Sequence, residues 1–388
     1  MNFELSDEQK MVADAIAAIM ARFDDAYWLE KDRVGGFPRD FYDEIVRTGF
    51  LGIALPEDLG GAGFGISEAA VMMMTIANSG GGMSAASAIH MNVFSPLVIK
   101  VFGTDAQRAE WLPRIIDGRD QVCFGVTEPD AGLNTAKIRT RAVWQGDHWL
   151  ANGRKVWTST AQVANKVLLL ARTSEPAAGA AATDGLSLFY TDVDRNRIAV
   201  SEIEKMGRKA VDSNEFAIDD LPIPPGHLVG EEGKGFRYLL KSLNAERILL
   251  AHEAVGIGRN ALDRAARYAR ERVVFDRPIG QNQSIQHPLA KNWVELEAAF
   301  LLGQKAAWLY DSGAPCGAES NAAKYFAAEA GYDACLQAVM THGGMGYAKE
   351  FHVERLLREI MITKLAPVSA QMVLCFIAEH VLGMPKSY

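Results

Sequence analysis

At 388 residues the chain is long enough for two or three domains and a large core, and with 49% hydrophobic and 23% charged residues its composition is that of an ordinary globular protein. A formal net charge of -8 with no basic patch argues against a nucleic-acid partner, because phosphate binding needs clustered Lys and Arg. Cys123, Cys316, Cys335 and Cys375 are widely spaced and form no CxxC pair, which points away from a zinc site or a disulfide framework and towards a reducing compartment.

Met1 to Gln9 lack a basic region followed by an apolar run, and no uninterrupted apolar stretch reaches the length of a membrane span. A cytoplasmic protein without membrane contact is expected. Ser6 and Gln9 read as a capping box that opens a helix through about Phe23, with Met11, Ile16, Ile19 and Met20 at helical spacing. Further helices are expected from Phe41 to Thr48 and from Ser67 to Ser79. Between them the glycine run from Leu59 to Gly65 lacks a βαβ setting and reads as a surface turn rather than a dinucleotide fingerprint.

From about Gln121 to His227 the pattern changes to short β-rich runs, Val167 to Ala171, Leu186 to Thr191 and Ile198 to Ile203, with Pro176 to Ala182 as a surface loop. From Gly235 onward it is helical again. Segments Tyr238 to Val274, Ser284 to Ser312, Ala318 to His342 and Glu350 to Leu382 predict an antiparallel four-helix bundle, with Leu240, Leu249, Leu262, Val294, Leu301 and Leu336 in its core. The fold class is therefore α+β: a helical domain at 1–120, a β-domain at 121–234 and a helical bundle at 235–388.

Val126-Thr127-Glu128-Pro129-Asp130-Ala131-Gly132-Leu133-Asn134 is the most informative local stretch. An apolar run ends in a tight turn that carries a hydroxyl, a carboxylate, a fixed φ at Pro129 and a permissive Gly132. It reads either as a ligand-binding loop or as an ordinary turn at a strand end. The same chain carries Lys155-Val156-Trp157-Thr158-Ser159, Lys205-Met206-Gly207, Gly230 to Phe236, Arg272 to Phe275 with Gln283, and Gly343-Gly344-Met345-Gly346-Tyr347.

In this order and at these separations the segments resemble the acyl-CoA dehydrogenase family of FAD flavoproteins, over essentially the whole chain. The resemblance implies a helical N-terminal domain, a middle β-domain and a C-terminal four-helix bundle, assembled as a homotetramer with FAD across a subunit interface. It implies formation of an α,β double bond in an acyl-CoA, with electrons passed to an electron-transfer flavoprotein. That chemistry requires a carboxylate base, donors for the developing enolate oxygen and a flat two-electron acceptor. The resemblance places Thr127, Trp157, Thr158 and Ser159 at the isoalloxazine ring. Arg272, Phe275 and Gln283 serve the pyrophosphate and adenosine end, joined by Gly343 and Gly344, with Ser369 and Gln371 also on the cofactor. A guanidinium at Arg272 suits phosphate oxygens.

Many relatives carry the base late in the chain in a segment like Tyr-Glu-Gly-Thr-Ser, but here that stretch reads Leu365-Ala366-Pro367-Val368-Ser369-Ala370-Gln371 and holds no carboxylate. Pro367 takes the glutamate's place in one register and Ala366 in a register slipped by one. The isovaleryl- and long-chain-type enzymes instead carry the base early in the C-terminal bundle, before an arginine, which matches Glu246-Arg247 in Leu243 to Leu250. Apolar Leu243, Ile248, Leu249 and Leu250 would raise its pKa. A solvated helix-surface Glu-Arg pair is the other reading. Asn244, Arg247 and Leu133 match substrate-contacting positions.

Two departures stand out. Relatives often read Ala-Gly-Ser-Asp where this chain has Ala131-Gly132-Leu133-Asn134, so a hydroxyl near the thioester ligand is missing. Pro367 has no N-H where relatives polarise the thioester carbonyl with an amide, whereas Ala366 in the slipped register would restore one. Besides a dehydrogenase, a desulfinase or oxidase on the same fold and a non-catalytic acyl-CoA-binding protein remain open. His342 and His352 lack carboxylate or cysteine at ligand spacing, and no metal is expected.

Overall fold

The computed structural model describes residues 3–387. Its N-terminal part is helical: α1 (Asp7–Met20), α2 (Asp25–Val34), α3 (Arg39–Arg47), α4 (Ile66–Ala77), α5 (Gly82–Phe94), α6 (Pro96–Phe102) and α7 (Asp105–Ile116). The capping box at α1 forms as read, with the Ser6 hydroxyl accepting from the Gln9 N-H and the Gln9 side chain accepting from the Ser6 N-H, both at 3.2 Å. The helix stops at Met20 rather than Phe23, because Asp24 caps a new helix by accepting from the Tyr27 N-H at 2.9 Å.

Helices α5 to α7 have no counterpart among the expected elements. In α5 the small residues Ala85, Ala86 and Ala88 are buried along with nearly all their neighbours, so no amphipathic period marks that helix, whereas α7 turns Trp111, Leu112, Ile115 and Ile116 inward and its charged residues outward. Gly82–Phe102, which holds α5 and α6, and Val353–His380 are each long and apolar enough by length and composition to cross a membrane, contrary to expectation. The first is 78% buried within the fold, as a core helix of this kind would be.

The middle of the chain forms β1 (Val122–Gly125), β2 (Arg141–Trp144), β3 (Trp149–Ser159), β4 (Lys166–Arg172), β5 (Leu186–Asp192), β6 (Ile198–Glu202) and β7 (Ser213–Ile223). They make one seven-stranded sheet in the order β1-β4-β2-β3-β7-β6, with β5 on β4. β1 runs parallel to β4, whereas β3 and β7 pair antiparallel with a register shift between Lys155 and Thr158. That irregularity re-aims the end of β3, as bulges do.

The C-terminal part holds five helices, α8 (Gly235–Glu271), α9 (Gln283–Asp311), α10 (Gly317–His342), α11 (Val353–Leu365) and α12 (Ala370–His380), with a short hairpin of β8 (Val273–Val274) and β9 (Arg277–Pro278) after α8. The single helix expected from Glu350 to Leu382 is broken, because Pro367 supplies no N-H and Ser369 caps a new start. The 37-residue α8 is the central element. It crosses its neighbours at glycines: a Cβ on Gly256 would meet the Met74 carbonyl oxygen of α4 at 2.3 Å, and one on Gly331 of α10 would meet the Ala254 carbonyl oxygen at 2.6 Å.

Leu249 and Leu262 are in the core as expected, but Leu240, Val294, Leu301 and Leu336 are exposed. Trp293, Trp308 and Met340 are exposed with them, so α9 and α10 carry an apolar outer face that one chain does not cover.

Candidate active site

The Val126–Asn134 loop is braced from within. Lys155, wholly buried, donates to Glu128 Oε1 at 2.8 Å and to the Val126 carbonyl at 3.0 Å, and Glu128 also accepts from the N-H groups of Arg139 at 2.6 Å and Thr140 at 2.9 Å. Burial alone would raise Glu128, but the Lys155 charge and these hydrogen bonds outweigh it and hold its carboxyl below the ordinary value. The carboxylate of the turn is thus committed to the loop's own backbone. Leu133, at the loop's tip, is exposed.

The Thr127 loop is tied to β3 next to Trp157, the Val156 N-H donating to the Thr127 carbonyl at 2.9 Å. The irregularity in β3 gives Trp157 a φ of 63° and leaves its indole largely exposed. Thr158 is buried, its hydroxyl oxygen has no partner among the described residues, and its carbonyl accepts from Asn214 Nδ2 at 2.9 Å. Ser159 pairs with Ser213 of β7. An exposed indole beside a buried, unpartnered hydroxyl fits a flat ligand with hydrogen-bonding edges.

Glu246 lies on α8 and is buried, as is Arg247, which removes the surface-pair reading. Glu246 Oε2 is enclosed without a partner among the described residues, while Oε1 stands 3.9 Å from His90 Nε2 on α5, an ion-pair distance rather than a hydrogen bond. Arg247 donates to Asn244 Oδ1 at 3.0 Å, and its Nε has no partner. Burial pushes the Arg247 guanidinium down, with Glu246 pulling it back. On α10, Lys324 is also buried and donates to the Val368 carbonyl at 2.6 Å. Burial, and then Arg247, bring its ammonium down to about 8.

The late segment corrects one expectation. The Ala366 N-H is already bonded to the Ile362 carbonyl at 2.8 Å, closing the end of α11, and Pro367 has none. The slipped register therefore restores no free amide. Ser369 Oγ accepts from the Met372 N-H at 3.4 Å, and Gln371 is exposed.

Arg272, Phe275 and Gln283 cluster around the hairpin after α8, and Phe275 is 93% exposed with a φ of 52°. At the rise of an α-helix, the 26 residues from Glu246 to Arg272 put about 39 Å between the two positions. Gly343 and Gly344 follow α10, exposed, with open space where a Cβ would stand. Of the histidines singled out, His342 stacks on Tyr268 at 4.2 Å and His352 lies 3.9 Å from Asp25.

Family models cover the chain in three consecutive pieces: acyl-CoA dehydrogenase N-terminal domain over residues 6–119, middle domain over 123–221 and C-terminal domain over 233–382. The chain belongs to the acyl-CoA dehydrogenase family. It is 38% identical to acyl-CoA dehydrogenase FadE12 of Mycobacterium tuberculosis over 393 aligned residues, covering 100% of this chain and 99% of that one. It is 33% identical to the caffeyl-CoA reductase-Etf complex subunit CarC of Acetobacterium woodii, covering 86% and 87%. Among solved structures it is similar to butyryl-CoA dehydrogenase from Megasphaera elsdenii, with a TM-score of 0.94 at 27% identity over 98% of this chain and 100% of that one.

The geometry adds four groups that sequence reasoning missed: His90, Glu253, Arg208 and Lys324. A lone histidine on an unrecognised helix and a lysine within an alanine-rich one carry no spacing signal. Burial marks His90, Glu253 and Lys324, and a bond to Ser87 of α5 marks Arg208.

Proposed function

We propose that this chain is an FAD-dependent acyl-CoA dehydrogenase in which Glu246 removes the α-proton of an acyl-CoA thioester. The observation that carries the assignment is a buried carboxylate on α8 with one oxygen free of any partner among the described residues. A free lone pair in an enclosed place is what a base aimed at a C-H bond needs. The α C-H bond breaks as an O-H bond forms on Glu246, its electron pair becomes the new α,β double bond, and the β-hydrogen leaves as hydride. FAD, when bound, supplies the flat two-electron acceptor.

Thr127, Trp157, Thr158 and Ser159 form its platform, with the exposed Trp157 indole as the flat surface. Arg272, Phe275 and Gln283, with Gly343, Gly344, Ser369 and Gln371, receive the pyrophosphate and adenosine end. Because about 39 Å of helix separates Arg272 from Glu246, the cluster around Arg272 serves the cofactor of another subunit. The uncovered apolar face of α9 and α10 supports the same homotetramer. Leu133, Asn244 and Arg247 face the acyl-CoA. Domains at 1–120, 121–234 and 235–388 fit this division of labour. Electrons pass onward to an electron-transfer flavoprotein, a reading supported by the Etf complex named for the Acetobacterium woodii relative.

The test is anaerobic addition of acyl-CoAs of differing length and branching to the flavin-loaded protein. Bleaching of the flavin band marks a dehydrogenase. No bleaching with any acyl-CoA, or flavin turnover only with oxygen or a sulfinate, marks a non-catalytic protein, an oxidase or a desulfinase.

A further inference from the structure

Glu246 and Glu253 are seven residues apart on α8, so both carboxylates lie on one face of the helix, two turns from each other. One residue bridges them. His90, from α5, places its Nδ1 2.6 Å from Glu253 Oε1 and its Nε2 3.9 Å from Glu246 Oε1. The three residues are 6%, 7% and 1% exposed for His90, Glu246 and Glu253. A neutral imidazole has one N-H and would leave one carboxylate facing a lone pair, whereas an imidazolium presents an N-H to each.

We propose that His90 is a positioning residue for the α-proton transfer: anchored by Glu253, its imidazolium keeps the Glu246 carboxylate ionised and turned, with Oε2 left for the substrate. The inference rests on the reading of Glu246 as the base. Burial alone would push His90 down, but Glu253 and then Glu246 outweigh it and raise it to about 10. Other charged groups face the same carboxylates: Arg247, next to Glu246 on α8, and Lys324, on α10, both feel the Glu246 charge. Arg208, from the segment before β7, donates to Ser87 Oγ of α5 at 3.0 Å and lies within reach of the Glu253 and Glu359 charges. From α11, Glu359 accepts from the Ser84 hydroxyl at 2.7 Å and from Arg355 at 3.1 Å. On the β1 side, Asp120 is taken up by Arg114 at 2.8 Å, and Cys123 is buried with its thiol pushed up. The helix that carries His90 has no other charged residue.

The proton balance is complete within the site. Before reaction Glu246 is an anion facing a cation. The substrate's proton goes to Oε2, while His90 stays 3.9 Å from Oε1 and gives up neither of its own protons.

The experiment is the pH profile of anaerobic flavin reduction by the flavin-loaded protein, driven by an acyl-CoA that bleaches the wild type, in His90→Asn and Glu253→Gln. Loss of an opposite charge at this range raises a carboxyl by about 1–3 units, so the acid limb of the His90→Asn profile should move up by that much, while the rate recovers at higher pH. The Glu253→Gln limb should move the same way by less. A rate lowered equally at all pH values with an unmoved limb would overturn the inference and leave His90 as packing. If both variants misfold, ¹⁵N-histidine NMR of the wild-type holoenzyme reads the ring directly. Two protonated nitrogens on His90 at the working pH support the proposal, and a neutral ring ends it. Normal bleaching in Glu246→Gln would remove the base reading and this inference together. An inactive Glu246→Gln beside an unshifted His90→Asn would remove only this one.

Discussion

Lys155 and Glu128 form an ion pair at 2.8 Å with the lysine side chain wholly out of solvent, and that pair, rather than the turn sequence itself, fixes the loop from Val126 to Asn134. Lys155→Met should therefore strand a buried carboxylate and cost about 3–5 kcal/mol, the usual consequence of removing one partner of a buried pair. Urea unfolding measures it. A loss below about 1 kcal/mol would mean that the Arg139 and Thr140 amides suffice to hold Glu128.

Glu246→Gln should keep its FAD and bind acyl-CoA yet reduce flavin more slowly by about 10²-fold or more, the span typical of a lost general base. Stopped-flow bleaching under anaerobic conditions reads this. Near-normal reduction rejects Glu246 as the base.

Arg272→Ala should come off purification with lower FAD content, and because the cofactor is proposed to brace a subunit contact, with a lower mass in light scattering. Full flavin occupancy and unchanged mass would place the pyrophosphate elsewhere.

Pro367→Ala offers an N-H at a position where none exists, next to an Ala366 amide already spent on α11. An acidic acyl-CoA analogue should bind this variant more tightly, with a stronger charge-transfer band. Unchanged affinity with an intact fold would show that the thioester carbonyl is polarised from another direction.

Asp32 supplies a stability prediction. Burial alone would raise its carboxyl, but Arg358, bonded to both oxygens at 3.0 and 2.7 Å, outweighs burial and holds it below the ordinary value. Its contribution to stability is present above the unfolded carboxylate value of about 4 and fades as pH falls through the lower folded value. The stability gap between wild type and Asp32→Asn should accordingly be widest near neutrality and narrow on acidification, as thermal melts across acidic pH will show. A gap independent of pH would assign Asp32 to packing alone.

Much of this organisation could be read from residues alone. The cap at Ser6 and Gln9, the long helices after Gly235 and the vacancy at Ala366-Pro367 that directed attention to Glu246 are local chemical signals. What escaped was set by surroundings. Helix α5 is buried on all sides and shows no period, so His90 was never placed opposite Glu246. Leu240, Val294, Leu301 and Leu336 looked like core because an apolar face destined for a partner is indistinguishable, in one sequence, from one turned inward. The strands around Trp157 and Asn214 were missed because polar and glycine residues interrupt their alternation.

The length of α8 has a genetic consequence. With Glu246 near one end and Arg272 at the other, each chain contributes its base to one flavin and its phosphate clamp to another under the proposed arrangement. Two damaged alleles, one altered at each position, would then not simply average. In a pair of unlike chains both lesions fall on one reaction centre and the other is assembled entirely from intact parts, so co-expressed Glu246→Gln and Arg272→Ala chains should regain activity that neither shows alone.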